Sequence, residues 1–140
     1  LNGIDSSIIV YSMDPSVQEH VKAKRTILSL EEWAINPTVI HEVYHALVYK
    51  RRMRPEDVKT KIRTLIQDRR TRFLNLNRTV SLYSLDLAVQ YGIGGRDALI
   101  TGCYMHYGIE KLLTHNNDLL KLKSINFKGR TIQFTDPIVE

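Results

Sequence analysis

The segment His41-Glu42-Val43-Tyr44-His45 carries two imidazoles four residues apart with a carboxylate between them. On a helix this spacing puts both histidines on one face, where they can hold Zn²⁺. Glu42 can then activate a metal-bound water, the chemistry of the H-E-x-x-H zinc hydrolases. That reading needs a third ligand. The extended motif asks for Gly and His further on, and the chain has Val48 and Arg51 at those places. Glu56 and Glu110 are the remaining options, one close in sequence and one distant. The alternative is that Glu42 carries the chemistry and the histidines are its neighbours by accident, with His45 bordering a site and His41 pointing elsewhere.

Four acidic positions offer a different chemistry. Asp5 lies in the apolar run "IDSSIIVYSM", which reads as a buried strand where a charge is expensive unless it meets a metal or a partner. Glu42 falls in the first turns of a helix after a second strand. Asp97 follows "GIGGR" at a helix start, and Asp118 comes just after a strand ending at Thr114. Clustered carboxylates repel one another and favour divalent cations, and oxygen-only ligation suits Mg²⁺ or Mn²⁺. Each residue also has an ordinary role: Asp97 as a helix cap, Asp118 as a turn residue, Glu42 as surface charge.

The elements that must position these residues follow from periodicity and breakers. Beyond the first strand, Ser16 to Ser29 is predicted helical and Trp33 to Asn36 extended. Asn36 or Thr38 caps a helix to about Lys50, and Pro55 opens another to about Arg70. "RFLNL" is a short strand. Thr79 to Tyr91 is a helix with Leu82, Leu85 and Val89 on one face, a stripe expected to be core. Arg96 to Tyr107 is a further helix, "IEKLLT" a strand, "NNDLLKL" a helical turn and "TIQF" a last edge strand. Strands alternating with helices predict an α/β class, a central mostly parallel sheet flanked by helices. In such sheets, sites lie beyond the carboxyl ends of the strands.

Bulk properties bound the reading. The 140 residues suit one domain, 1–140, with 43% hydrophobic and 25% charged residues. No apolar run approaches a membrane span and no signal peptide is visible, so no membrane partner is expected. The chain begins at Leu1, as if a residue or two were missing. The single cysteine, Cys103, cannot form an internal disulfide, which fits a cytoplasmic location. Lys50 to Arg78 holds eleven of the twenty Lys and Arg with three acids, so it carries +8 of a net +5, and the remainder is −3. Such a strip, with Arg51, Arg52 and Arg54 at its start, attracts a polyanion or forms a solvated helix face.

"IDSSIIVY", "INPTVIHEVYHAL", "GGRDALITGCYMHYG" and "LLTHNNDLLKL" occur in the order and spacing of the PIN-domain family. The chain resembles its small prokaryotic members, the VapC-type toxins, over nearly its whole length. The resemblance implies a Mg²⁺- or Mn²⁺-dependent endoribonuclease with Asp5, Glu42 and Asp97 as metal ligands. Ser7 and Thr114 match the family's supporting hydroxyls. Where the family has Thr-x-Asp, this chain has Thr114-His115-Asn116. Asn116 therefore offers a carbonyl oxygen without charge, and Asp118 is the candidate to replace the lost carboxylate. Arg96 is placed to contact phosphate or to face solvent. The resemblance further implies an RNA substrate, a homodimer and a VapB-like antitoxin. A PIN-fold module that binds RNA or protein without cutting is the alternative that Asn116 favours.

Overall fold

The first strand is shorter than the sequence suggests. β1 is Asn2–Ile4, and the chain turns at Asp5 straight into a helix, α1 (Ser6–Met13). Ile8, Ile9 and Val10 are β-branched and consecutive, and all three are buried inside α1. Burial on nearly every side has overridden their strand propensity. Asp5 is thus not within a strand. It sits at the strand–helix junction in extended conformation and caps α1, its carboxylate accepting the Ser6 N–H at 2.8 Å.

The computed structural model describes residues 1–139. After α1 come α2 (His20–Ser29), β2 (Trp33–Ile35) and α3 (Pro37–His45), which runs into a π-helical turn, Ala46–Lys50. Then follow α4 (Pro55–Gln67), β3 (Thr71–Phe73), α5 (Arg78–Tyr91) and α6 (Gly95–His106). The chain ends with β4 (Lys111–Leu113), α7 (Asn117–Leu122), β5 (Ser124–Phe127) and β6 (Arg130–Thr135). The sheet order is β3-β2-β1-β4-β6-β5, parallel throughout except for β5 against β6. The "TIQF" strand therefore lies inside the sheet, and β5, unpredicted, is the edge.

From β1 the chain builds outward through β2 and β3, then returns to place β4 on the other side of β1. The crevice between β1 and β4 is the point where the winding direction reverses. In open parallel sheets this is where ligands bind. The register there is fixed by pairs from Asn2–Lys111 to Ile4–Leu113, and by the Asp5 N–H donating to the Leu113 carbonyl at 2.9 Å.

Tyr104 of α6 pins the sheet beneath the site. It is fully buried, and its hydroxyl reaches the carbonyls of Ile4 (2.7 Å) and Ala34 (3.1 Å), the carbonyls near the ends of β1 and β2. Its ring lies against Gly3, where a Cβ would come within 2.8 Å of it. Only glycine permits that approach.

The helix predicted over Thr79 to Tyr91 exists, but its inward face is another one. Val80, Ser84 and Leu87 are buried, whereas Leu82, Leu85 and Val89 are 59%, 62% and 86% exposed. The predicted core stripe is a surface stripe. α5 packs closely on α6, with Ser84 against Gly102, where a Cβ would collide with the Ser84 side chain. No helix among the described residues is long and apolar enough to cross a membrane.

Candidate metal and nucleic-acid site

Asp5 is 3% exposed and stands at the carboxyl end of β1, at the reversal point of the sheet. Thr114, fully buried at the end of β4, donates its hydroxyl to Asp5 Oδ2 at 2.6 Å across that crevice. Burial pushes the Asp5 carboxyl up to about 6, against the opposing pull of Thr114 and Ser6, and the negative charges of Glu42 and Asp97 add to the rise. A carboxylate kept in this state is short of positive charge.

Glu42 reaches the same place from α3. Asn36 caps that helix through Val39 N–H at 3.1 Å, and Pro37 supplies its first position. Ser6 donates to Glu42 Oε1 at 2.8 Å, so one residue touches two of the acids. Asp97 arrives in the first turn of α6, after the left-handed Gly92 ends α5. Asp5, Glu42, Asp97 and Asn116 line one cavity of about 240 Å³, together with Ser6, Ser7, His45, Lys50 and Arg96. His45 borders the site as its motif suggests, whereas no motif marks Ser6 or Lys50 as a site residue. Ser6 would have been visible only once Asp5 was known to begin a helix.

Asn116 behaves as a donor and a cap. Its Oδ1 accepts the Asp118 N–H at 2.9 Å, which leaves Nδ2 to donate to Asp97 Oδ2 at 3.2 Å. The Asp118 side chain is exposed on α7 and does not line the cavity. It is joined to the site only through its backbone. Ser7 accepts the His115 N–H at 3.1 Å and so steadies the loop after β4. His115 is also held by Asp136 at 2.7 Å, a contact with no signal in the sequence.

The cations are distributed unevenly. Arg96 lies 3.6 Å from Glu42 with its side chain 78% exposed, an open position from which phosphate is reachable. Arg51 is tied to Asp14 at 2.6 Å and lies over the Tyr11 ring, so it holds α1 to the π-helical turn. Arg52 and Arg54 are exposed.

The histidines of the H-E-x-x-H segment stand differently toward the carboxylates. His45 lines the carboxylate cavity, and His41 does not. Among the described residues no three His, Cys, Asp or Glu side chains close on a common point as they stand. A His–His–Glu zinc centre is therefore not prearranged, and neither is a contracted three-carboxylate one. The donor chemistry separates the two. Three carboxylates and the Asn116 amide share one cavity, with Lys50 and Arg96 also in its wall, and the Asp5 carboxyl is raised by burial and by its acidic neighbours; this donor set fits a hard divalent cation.

The acidic residues thus meet at the reversal point of a mostly parallel α/β sheet, the place where such sheets bind ligands. The family model "PIN domain" matches residues 4–125, and the chain belongs to that family. A comparison with curated proteins found no match. Among solved structures, VapC20 of Mycobacterium tuberculosis, described as a sarcin-ricin loop cleaving toxin, superposes with a TM-score of 0.75 at 15% identity. That match covers 87% of this chain and 95% of that one. A toxin–antitoxin complex from Klebsiella pneumoniae gives 0.67 at 18% identity, covering 98% of each chain. DNA-bound VapBC from Salmonella typhimurium gives 0.68 at 15% identity, covering 97% of each. At these identities the likeness establishes the fold.

Proposed function

We propose that the protein is a Mg²⁺- or Mn²⁺-dependent endoribonuclease, the toxin of a toxin–antitoxin pair acting in the cytoplasm. The observation that carries this reading is Asp5: buried, its carboxyl raised, and joined by Glu42 and Asp97 in one cavity at the sheet's reversal point. Asp5, Glu42 and Asp97 would hold the cation. Once bound, it supplies an activated water and offsets charge on the phosphate. Thr114 orients Asp5, and Ser6 orients Glu42. Arg96 and Lys50, at the cavity's edge, attract the phosphate backbone. Asn116 holds Asp97 in place through its amide in lieu of a fourth charge.

Two partners accompany this reading. The toxin–antitoxin neighbours favour an antitoxin. A groove of about 550 Å³ between α3 and α4, with Ile40, Tyr44, Ile62 and Ile66 along it and Lys59 and Arg63 at its rim, suits an acidic amphipathic segment. The exposed Leu82, Leu85 and Val89 of α5, spaced along one helix face, suit a second copy of the chain. The second reading, a binding module that does not cut, is favoured by Asn116, which leaves the site one carboxylate short of the family pattern. Incubation of structured RNAs with Mg²⁺, Mn²⁺ or EDTA decides between them. Cleavage that needs the metal and is lost in Asp5→Asn supports the nuclease. Metal-independent RNA retention without cleavage supports the module.

A further inference from the structure

The two histidines that fail as a zinc site share a second location. A cavity of about 380 Å³ opens beside the carboxylates, lined by Pro37, Thr38, His41, His45, Leu76 and Arg96, with Glu42 at its boundary. His41 and His45 are one helical turn apart on α3, which brings both rings to this cavity. Glu42, His45 and Arg96 line both cavities, so the two are neighbours with a common wall. Beyond that wall, Tyr49 lies against the His45 ring, with centroids 5.3 Å apart and planes 33° from parallel. Tyr49 is itself 66% exposed. The π-helical turn widens the helix where Tyr49 projects, and such turns gather at functional sites.

The geometry points to this second cavity as a receptor for one unpaired nucleobase of an RNA strand whose phosphate lies at the carboxylates. The inference rests on RNA being the ligand of the neighbouring cavity. The wall chemistry matches a base. Imidazole rings, Pro37 and Leu76 offer flat and apolar surface, and the Arg96 guanidinium offers a planar cation. The Thr38 hydroxyl and the Glu42 carboxylate offer hydrogen-bonding edges. A base paired in an A-form helix is stacked on both faces and cannot enter, so the cavity selects strands with looped-out or single-stranded nucleotides. The unequal wall, polar at Thr38 and Glu42 and apolar at Pro37 and Leu76, discriminates among bases by their edges. The H-E-x-x-H segment then has a single purpose in two parts: Glu42 faces the cation, and the histidines face the base beside it.

Single-stranded RNA oligonucleotides carrying one 2-aminopurine, moved stepwise along the sequence, test this on the full chain in EDTA at low salt. The expected result is strong fluorescence quenching at one position, from stacking in the cavity. His45→Ala should weaken binding of that oligonucleotide by about tenfold and relieve the quenching. His41→Ala should do so to a lesser degree, and Val21→Ala, exposed on α2 and outside both cavities, should do neither. His41 and His45 are exposed, so these variants fold. Quenching at no position, quenching that survives the double His41→Ala/His45→Ala change, or absence of RNA binding would each overturn the inference. Position-specific quenching in a protein that cuts no RNA with Mg²⁺ or Mn²⁺ upholds the base receptor while removing the nuclease reading.

Discussion

Two junctions in this molecule are built alike. β1 passes through Asp5 into α1, and β2 passes through Asn36 into α3. In each a short buried strand ends at an extended capping residue whose side-chain oxygen accepts a backbone N–H of the helix that follows. Both caps are buried, at 3% and 0% exposure. They differ in charge. Asn36 caps as a neutral amide beside the Cys103 thiol, which burial pushes up to about 12 against the opposing pull of the Asn36 side chain. Asp5 caps with a carboxyl that burial pushes up to about 6. The comparison teaches that capping does not require the charge. The negative charge of Asp5 is a surplus that costs stability, and its use must lie in what it attracts.

Exchanging the charge should therefore separate stability from function. The largest effect is expected for Asp5→Asn, with RNA cleavage falling on the order of a hundredfold or more. The same change should stabilise the metal-free protein. The folded-state value of about 6 lies above the ordinary 3.8, so this group's contribution is most favourable below about pH 4. It declines as pH rises to about 6 and is constant beyond. That decline corresponds to about 3 kcal/mol on folding. Urea denaturation at pH 4 and pH 7.5 should show it in wild type and not in Asp5→Asn. A variant less stable than wild type at pH 7.5 would break the comparison.

The reciprocal change, Asn36→Asp, puts a charge where no cation can offset it. It should destabilise by about 3 kcal/mol at neutral pH, read as a lower urea midpoint, without adding affinity for Mn²⁺. Asn116→Asp should act on a smaller scale and in opposite directions with and without metal. It replaces the donation from Nδ2 to Asp97 by carboxylate repulsion, lowering metal-free stability by about 1 kcal/mol. It should also tighten Mn²⁺ binding in a calorimetric titration and leave cleavage equal or faster. The smallest effect belongs to the basic strip. Arg52→Ala with Arg54→Ala should weaken RNA binding and flatten its salt slope by about two. Arg51→Ala should instead lower the melting temperature, because Arg51 is held by Asp14. An unchanged salt slope would return Arg52 and Arg54 to an ordinary solvated surface.

What was legible in the sequence followed from how local its cause is. Asn36-Pro37, Pro55 and Gly92 act on the backbone next to them, and the helices they bound stand where they were expected. Asp5, Glu42 and Asp97 were legible as a set, because charge at element boundaries is conspicuous. Ser6 was not, because the run from Ile8 to Val10 looks like a strand until its burial inside α1 is known. The α5 stripe misled for a related reason. Leu82, Leu85 and Val89 have the period of a core face, but which face turns inward was set by the fit of Ser84 on Gly102. Asp118 is near the site in sequence only, because the start of α7 carries it out of the cavity.

The hydrogen bond from Thr114 to Asp5 joins residues 109 positions apart, across two strands that cannot pair until the second has been made. A ribosome adds about 5–20 residues each second and the nascent domain folds as its parts emerge. For several seconds, then, a growing chain carries Asp5 and Glu42 without the strand that confines them. Asp97 and Thr114 arrive late, and the crevice has no partial form. A message cut short before β4 yields a product with carboxylates and no site. The crevice is absent until β4 has been made, a delay written into the strand order itself.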